Sequence, residues 1–317
     1  MYKVAIIGAG QLGSRHLQGL KLSSLPMKIW VMDKSEDSLA IAKERYDEVE
    51  PVSEKQIELV KDIVKLPASL DLVIVATGSL PRAALVKGLL QHAEVKYMIL
   101  EKILFPKLSE YDEIGKILKD KGVKCWVNCA RRLFGVFHQV ESILSGTKIK
   151  MKYEGCDWGL CCNAIHLIDL FMMYTKEDKY SLDTTGLIPE IVESKRKGYV
   201  EFYGTLKATT PNGSTLTLIC NKDKSDKDFV VTIEEGGNLI HIDEGRFVLD
   251  LNGEHSSFRL PYQSETTGTY ADMILKMGFI PLTSYNLSVN YHKEFIEKML
   301  DFYNNLVEEK SEILPIT

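Results

Sequence analysis

The sequence predicts a protein of the α/β class, with an N-terminal doubly wound parallel sheet and a C-terminal α+β domain built on a mostly antiparallel sheet. Three observations lead to this prediction. Short apolar runs alternate with segments of helical composition over residues 1–128, as in a sheet that helices cover on both faces. A glycine-rich turn joins the first run to the first helix. Further on, extended runs rich in β-branched and aromatic residues replace the alternation, so we expect domains over 1–128 and 129–317.

The elements of the N-terminal half follow from the apolar runs and from what lies between them. The runs that predict buried strands are Val4–Ile7, Ile29–Met32, Asp71–Thr77, Tyr97–Leu100 and Val123–Val127. Segments of helical composition at 35–46, 81–90 and 108–121 separate them. Ser53, a helix-capping residue type, predicts a further helix over Ser53–Val64.

The C-terminal half mixes helices with strands bounded by turn residues. Helices are predicted over Phe134–Leu144, Leu160–Met173 and Ser288–Val307. Strands are predicted over Val200–Ala208, Ser214–Cys220, Phe229–Ile233, Asn238–Ile242 and Arg246–Leu251. The charged run Lys222–Asp228 predicts a solvated hairpin loop.

The glycine-rich turn, Gly8-Ala9-Gly10-Gln11-Leu12-Gly13, indicates a Rossmann-type nucleotide site. Gly8 permits the tight turn, Gly10 lets a pyrophosphate approach the backbone, and Gly13 lets the next helix lie against the strand. The amides at the helix start, among them those of Gln11 and Leu12, then face the phosphates. A flavin or another adenosine ligand on the same strand, turn and helix, or a turn without a ligand, are the alternatives.

An acidic residue follows at the expected distance. Asp33 ends the second apolar run about 20 residues after Gly13, where a carboxylate accepts the hydroxyls of the adenosine ribose. A carboxylate repels a 2′-phosphate, so NAD is predicted as the cofactor. Lys34 offers a phosphate some compensation and keeps NADP as an alternative.

Composition restricts the class of protein. An apolar content of 45% and a charged content of 26% are those of an ordinary soluble protein, and the net charge of −5 gives no basis for nucleic-acid binding. No apolar run approaches the roughly 20 residues that cross a bilayer. The N-terminus passes directly into the first strand, which leaves no room for a signal peptide, so a cytoplasmic location is expected. The six cysteines have no zinc-ligand spacing, so no metal is expected.

Candidate chemical groups follow the third and fourth apolar runs. The turn Thr77-Gly78-Ser79 lies at a strand carboxyl end, where open α/β sheets contact their ligands. Glu101 and Lys102 follow the next strand in the same way. A half-desolvated lysine there can exchange a proton with a substrate hydroxyl. The alternative is an ordinary surface pair.

A second proton carrier is predicted on the helix over Leu160–Met173. Cys162, His166 and Asp169 share one face of it, and Asp169 is placed to orient the histidine. The alternative is a histidine packed on an apolar helix.

These features resemble the Gfo/Idh/MocA oxidoreductases, the family of glucose-fructose oxidoreductase and inositol dehydrogenase. The resemblance rests on Gly8–Gly13, Glu101–Ile103 and His166–Asp169, with a weaker match at Asn128–Arg132, in that order before an antiparallel half. It implies transfer of a hydride between NAD(P) and a hydroxyl or keto carbon of a sugar, in a homodimer or homotetramer. It also implies that Lys102 and His166 are catalytic, that Glu101 lies in the cofactor site, and that the substrate is bound by Arg131, Arg132, Asn163 and Asp169.

The chain departs from the family pattern at several of these places. Ile103 replaces a proline, Cys162 replaces an aspartate of the acid/base pair, and Arg82 stands where a histidine is frequent. With Arg131 and Arg132, Arg82 makes the expected cleft basic, which suggests an anionic sugar or sugar nucleotide such as those of bacterial surface glycans. The cysteine supports an alternative, a non-catalytic NAD(P)-binding sensor or partner protein of the same fold.

Overall fold

The computed structural model describes residues 1–223 and 229–317, and the chain forms two compact units. Unit 1 comprises residues 1–105, 109–128 and 261–285, and unit 2 comprises residues 106–108, 129–260 and 286–317. The loop predicted over Lys222–Asp228 falls mainly on residues 224–228, which lie outside the described residues.

The elements up to residue 128 are β1 (Tyr2–Ile7), α1 (Gln11–Lys21), β2 (Met27–Met32), α2 (Glu36–Asp47), β3 (Lys55–Val60), β4 (Ser69–Val75), α3 (Ser79–His92), β5 (Glu94–Leu100), α4 (Leu108–Asp120) and β6 (Lys124–Val127). They are followed by α5 (Gly135–Glu141), β7 (Lys150–Cys156), α6 (Leu160–Thr175), β8 (Ser181–Leu187), β9 (Val192–Glu193), β10 (Val200–Glu201), β11 (Gly204–Thr209), β12 (Thr215–Asn221), β13 (Val230–Glu235), β14 (Asn238–Asp243), β15 (Val248–Leu251), β16 (Glu254–Ser257), α7 (Gln263–Met277), β17 (Thr283–Ser284) and α8 (Tyr285–Asn304).

Unit 1 is built on a sheet with the strand order β17-β6-β5-β4-β1-β2-β3. Its neighbours pair in parallel, except that β17 runs antiparallel to β6. Val4, Ala5 and Ile6 of β1 are fully buried because the sheet is covered on both faces. The predicted doubly wound sheet is confirmed, and its order reverses beside β1, the position at which such sheets bind their ligands.

The helix predicted over Ser53–Val64 is wrong. Lys55–Val60 forms strand β3, which pairs in parallel with β2 along its whole length, and only a short 3₁₀ turn, Ile63–Lys65, follows it. Ser53, the predicted helix cap, instead donates from its hydroxyl to the carbonyl of Ser23. An edge strand has one neighbour and keeps polar side chains in water, so its composition resembles that of a surface helix.

Helix α7, which was not predicted from the sequence, packs on α1 within unit 1. A Cβ added to Gly268 would lie 2.6 Å from the carbonyl oxygen of Gly19, so the two helix backbones touch where both residues are glycine. Asp272 fixes the pair of helices further by accepting hydrogen bonds from Ser23 and from the backbone amide of Ser24, at 3.0 Å. Residues 261–285 therefore complete the unit that carries the N-terminal sheet.

Unit 2 is built on a sheet with the strand order β16-β15-β14-β13-β7-β12-β11-β8. The pairs are antiparallel except for β7 with β12, so the predicted mostly antiparallel sheet is confirmed. The single run predicted over Val200–Ala208 is divided into β10 and β11 at Gly204, whose φ is +108°. Among the described residues, no helix is long and apolar enough to cross a membrane.

Candidate functional site

The glycine turn brings the start of α1 directly against the end of β1. Gly8 has a φ of +98° and donates from its amide to the carbonyl of Met32, at 2.8 Å. A Cβ on Gly13 would overlap the carbonyl oxygen of Gly8 and lie 2.9 Å from its carbonyl carbon. Glycine at both positions is therefore a packing requirement of the fold.

Gly10 differs from its two neighbours in the motif. Its φ of −63° and ψ of −165° suit any residue, and within the described chain no atom beyond its own neighbours lies within 4 Å of where its Cβ would be. It is the N-cap residue of α1 and offers that helix no side-chain cap. Open space before uncapped helix amides fits the pyrophosphate of a dinucleotide.

The carboxylate of Asp33 is held at the same turn. Its Oδ2 accepts a hydrogen bond from the amide of Ala9 at 2.7 Å, and its Oδ1 accepts one from the amide of Ser35 at 2.9 Å. Each carboxylate oxygen has a second lone pair, so both bonds leave acceptors for ribose hydroxyls. The backbone thus fixes the carboxylate that is predicted to favour NAD over NADP.

The turn after β4 completes this edge of the sheet. Thr77 packs against Gly8, because a Cβ on Gly8 would lie 2.9 Å from the Thr77 methyl group. Gly78 precedes α3, and Ser79 is the first residue of that helix and is fully buried. The structure therefore gathers the turn residues predicted for the cofactor, and Asp33 with them, at the carboxyl ends of β1, β2 and β4.

Glu101 lies in a buried polar network. It is 3% exposed. Its Oε1 is 2.9 Å from Nε2 of His16 and accepts a hydrogen bond from the side-chain Nδ2 of Asn128 at 2.5 Å. The other ring nitrogen of His16 is 2.9 Å from the Thr267 hydroxyl on α7. Burial acts to raise the pKa of Glu101, but the hydrogen bonds and charge of His16, with Asn128, hold it below its ordinary value. The carboxylate predicted for the cofactor site is thus bonded directly to α1 and to the residue after β6, and His16 connects it to α7.

Lys102 follows this carboxylate and is half-buried, whereas the residues on both sides of it are buried. The amide of Glu101 donates to the carbonyl of Val75 at 3.0 Å, which continues the pairing of β5 with β4 up to the lysine. The peptide bond between Lys102 and Ile103 is cis. Unit 1 therefore carries a half-buried lysine at the carboxyl edge of its sheet.

In unit 2, the two arginines predicted to bind substrate are bound by carboxylates of the protein. Both terminal nitrogens of Arg131 pair with the two oxygens of Glu244, and Arg132 binds the carboxylate of Asp169 at 2.5 Å. Burial acts to lower the pKa of each arginine, but the paired carboxylate raises it above its ordinary value. The positive charge on which the expected anionic substrate rested is therefore neutralised within the protein at both positions, and Arg82 is fully buried against backbone carbonyls.

Helix α6 presents a narrow accessible stripe. Cys162, Asn163 and His166 are half-exposed on a helix that is otherwise buried. The side-chain amide of Asn163 donates from Nδ2 to the carbonyl of Trp158 at 2.6 Å, while Asp169 is 1% exposed. Cys162 and Asn163 also line a cavity of about 430 Å³ within unit 2. Cys162 and His166 thus share an accessible face, whereas the carboxylate of Asp169 binds Arg132.

Comparison with known proteins addresses the N-terminal part directly. Residues 2–129 match the family model GFO_IDH_MocA, described as an oxidoreductase family with an NAD-binding Rossmann fold. Over this range the chain is similar to the Gfo/Idh/MocA family. The resemblance drawn from the sequence is confirmed over this range, and so is the prediction of an NAD-binding site. No curated protein sequence matches the chain.

Solved structures resemble this chain in fold beyond residues 2–129. UDP-N-acetylglucosamine 3-dehydrogenase GnnA from Acidithiobacillus ferrooxidans has a TM-score of 0.71 at 12% identity, over 93% of this chain and 95% of its own. An oxidoreductase from Agrobacterium radiobacter, in complex with NAD+, L-tartaric acid and magnesium, has a TM-score of 0.69 at 15% identity, over 93% and 94%. A super-repressor mutant of Gal80p from Saccharomyces cerevisiae has a TM-score of 0.69 at 12% identity, over 95% of both chains.

His16 and Thr267 belong to the polar network around Glu101 in unit 1, and the sequence analysis assigned neither residue a role. One signal was present for His16, which lies three residues after Gly13 and therefore on the same face of α1, against the sheet. A histidine at that buried position needs a polar partner. No local pattern connects Thr267 to it, because the two residues are 251 positions apart.

Proposed function

We propose that this chain is an NAD(P)-dependent dehydrogenase or reductase that acts on a CH–OH group of a sugar or sugar nucleotide. The observation that carries the proposal is the combination, within unit 1, of open space before uncapped helix amides at Gly10 and a half-buried Lys102 at the same edge of the sheet. Asp33 favours NAD over NADP. All six cysteines lie among the described residues and none forms a disulfide bond, which supports a reducing, cytoplasmic location.

Bound NAD supplies the group that accepts or donates the hydride. The chain's own residues position the reactants and move the proton. The amides at the start of α1 and the Asp33 carboxylate hold the dinucleotide, and the amine of Lys102 takes the hydroxyl proton during oxidation or returns it during reduction. His166 is the second proton carrier that we propose, on the accessible stripe of α6.

The class of substrate is supported by likeness of fold. GnnA, by its name, acts on UDP-N-acetylglucosamine, and it matches over almost the whole of both chains. For an anionic substrate of the kind found in surface glycans, this likeness of fold is the sole support. The arginines add none, because carboxylates of the protein bind Arg131 and Arg132. A panel of UDP-sugars, acidic sugars, neutral sugars and inositol tests the proposal through the change in NADH absorbance.

The decisive variant is Lys102→Met. We expect it to bind NADH nearly as well as the unmodified chain and to lose turnover by about 100-fold, because it lacks the proton carrier but keeps the phosphate site. Lys96→Met is the matched control, since Lys96 is exposed on the same strand β5, and it is expected to change neither quantity. Unchanged turnover in Lys102→Met removes the lysine from the mechanism, and absence of calorimetric heat with both NADH and NADPH removes the cofactor.

A second candidate is a non-catalytic NAD(P)-binding regulator. Two observations favour it: the cysteine at position 162, and the similar fold of the Gal80p super-repressor mutant. Such a protein binds NADH with measurable heat but leaves its absorbance unchanged with every member of the panel. Turnover on any one substrate rules it out, and a gain of turnover in Cys162→Asp would show that a carboxylate is what the site lacks.

We also propose that the chain forms a homodimer or homotetramer through the outer face of the unit 2 sheet. Lys152 and Glu154 of β7 and Thr217 and Ile219 of β12 point to this face and are only half-exposed. Open sheet faces of this kind are suited to self-association about a two-fold axis. Sedimentation velocity tests the proposal, and a monomer at micromolar concentration contradicts it.

A further inference from the structure

Arg82 is a buried arginine whose guanidinium faces main-chain oxygens. Its side chain is 1% exposed and lies near the start of α3. One terminal nitrogen donates to the carbonyls of Ile103 and Leu104, the latter at 3.0 Å, and the other donates to the carbonyl of Thr77. The guanidinium therefore joins the loop after β4 to the loop after β5.

The contacts of Arg82 hold the two residues that follow Lys102, and other side chains hold Glu101 before it and Phe105 further on. On the N-terminal side, the Glu101 carboxylate is bonded to His16. On the C-terminal side, the Tyr111 hydroxyl donates to the carbonyl of Phe105 at 2.7 Å. Lys102 is thus a half-exposed side chain within a main-chain segment that buried polar groups hold on both sides.

The chemistry of the two loops explains why an arginine is suited to this position. A buried carbonyl without a donor costs free energy, and Ile103 and Leu104 are fully buried beyond the end of strand β5. A guanidinium presents five N–H donors in a rigid plane and can serve several carbonyls at once. An ammonium group on a flexible stem cannot hold the same fork.

We propose that Arg82 is the positioning residue for Lys102. By bonding Thr77 and the two residues after Lys102 together, it fixes the lysine backbone relative to the turn at the proposed cofactor site. The proposal rests on the proton-transfer role given to Lys102 above. Its consequence is that Arg82 acts on the rate of the chemical step and not on cofactor affinity, because a displacement of about 1 Å in a catalytic group costs up to about 100-fold in rate.

The test compares Arg82→Lys and Arg82→Gln with Lys87→Gln, a control that removes a partly exposed cation from the same helix. Hydrogen exchange followed by mass spectrometry reports on peptide 101–105 without any substrate. We expect exchange there to become at least about tenfold faster in both Arg82 variants, while β4 exchanges as before. Calorimetry should give NADH affinities within about twofold of the unmodified chain. Turnover should fall by about 10-fold to 100-fold, and Lys87→Gln should change none of these quantities.

Several outcomes overturn the proposal. Unchanged exchange in peptide 101–105, or faster exchange throughout unit 1, shows that Arg82 does not act on the Lys102 segment. Local exchange that rises with no loss of turnover shows that the segment need not be held. If neither variant folds, Arg82 supports the whole unit and the proposal is wrong. Failure of the proposed function is separate, because the unmodified chain would then turn over no substrate while the exchange experiment still reports on Arg82.

Discussion

Gly10 and Gly13 lie three residues apart in one turn, and the structure predicts opposite consequences for the same substitution. In Gly10→Ala the added methyl group enters space that no atom of the described chain occupies, and the backbone angles suit alanine. The lower entropy of the unfolded chain contributes about 0.4–1 kcal/mol, and alanine is a poorer N-cap by a similar amount. The unfolding temperature should therefore stay within about 4 °C of its original value.

Cofactor binding should respond to Gly10→Ala instead. The methyl group stands where a pyrophosphate must approach the α1 amides, so we expect NADH affinity to fall by at least about 30-fold, or roughly 2 kcal/mol. In Gly13→Ala the methyl group overlaps the carbonyl oxygen of Gly8, and α1 must move away from β1. Overpacking of this kind costs up to about 3 kcal/mol, which lowers the unfolding temperature by roughly 6–12 °C.

Calorimetric titration with NADH and differential scanning calorimetry of both variants measure the contrast. The reasoning is refuted if Gly10→Ala binds NADH as well as the unmodified chain, since the open space would then not be the phosphate site. It is equally refuted if Gly13→Ala unfolds at the original temperature, because α1 and β1 would then not be in the contact described.

Four further predictions concern buried charges and the cofactor. His16→Ala leaves the Glu101 carboxylate buried without its main partner and should cost about 3–5 kcal/mol in urea unfolding, and a loss below about 1 kcal/mol contradicts the pairing. The pKa of Glu101 is lower in the folded chain than its ordinary value of 4.5. Its ionised carboxylate therefore stabilises the fold above pH 4.5, and this stabilisation is lost as the pH falls through the folded pKa. Glu101→Gln should remove this loss of stability at acid pH from the pH dependence of unfolding. Arg131→Met should destabilise unit 2 by about 3–5 kcal/mol, and adding Glu244→Leu should restore most of it, whereas additive losses contradict a coupled pair. Asp33→Ser should shift preference from NADH toward NADPH in titrations, and an unchanged ratio shows that Asp33 does not face the ribose.

Local sequence patterns were sufficient where a short segment determines its own geometry. The glycines of the first turn are required by contacts within one strand, turn and helix, and Asp33 ends the neighbouring strand, so all of them could be located without a structure. Strand β3 was missed because an edge strand in water has the composition of a surface helix. Helix α7 was missed because its defining contact, between Gly268 and Gly19, joins residues far apart in the chain.

Arg131 and Arg132 show which property of the site could not be predicted from the sequence. Their positions indicated an anion, and the type of residue is suited to one, but the carboxylates that bind them come from distant segments. Glu244 is 113 residues from Arg131, and Asp169 is 37 residues from Arg132. Charge in a sequence can be counted, whereas its neutralisation depends on tertiary pairing.

The placement of α7 has a consequence for synthesis of the protein. The nucleotide-binding unit begins at the first residue but is complete only when residues 261–285 have left the ribosome. At about 5–20 residues per second, roughly eight to thirty seconds pass between synthesis of residue 128 and synthesis of residue 285. During that time the surface of α1 at Gly19 is uncovered and His16 lacks Thr267. Chaperones that shield apolar surface have their main opportunity in that interval, and a fragment ending at residue 128 keeps that surface exposed permanently.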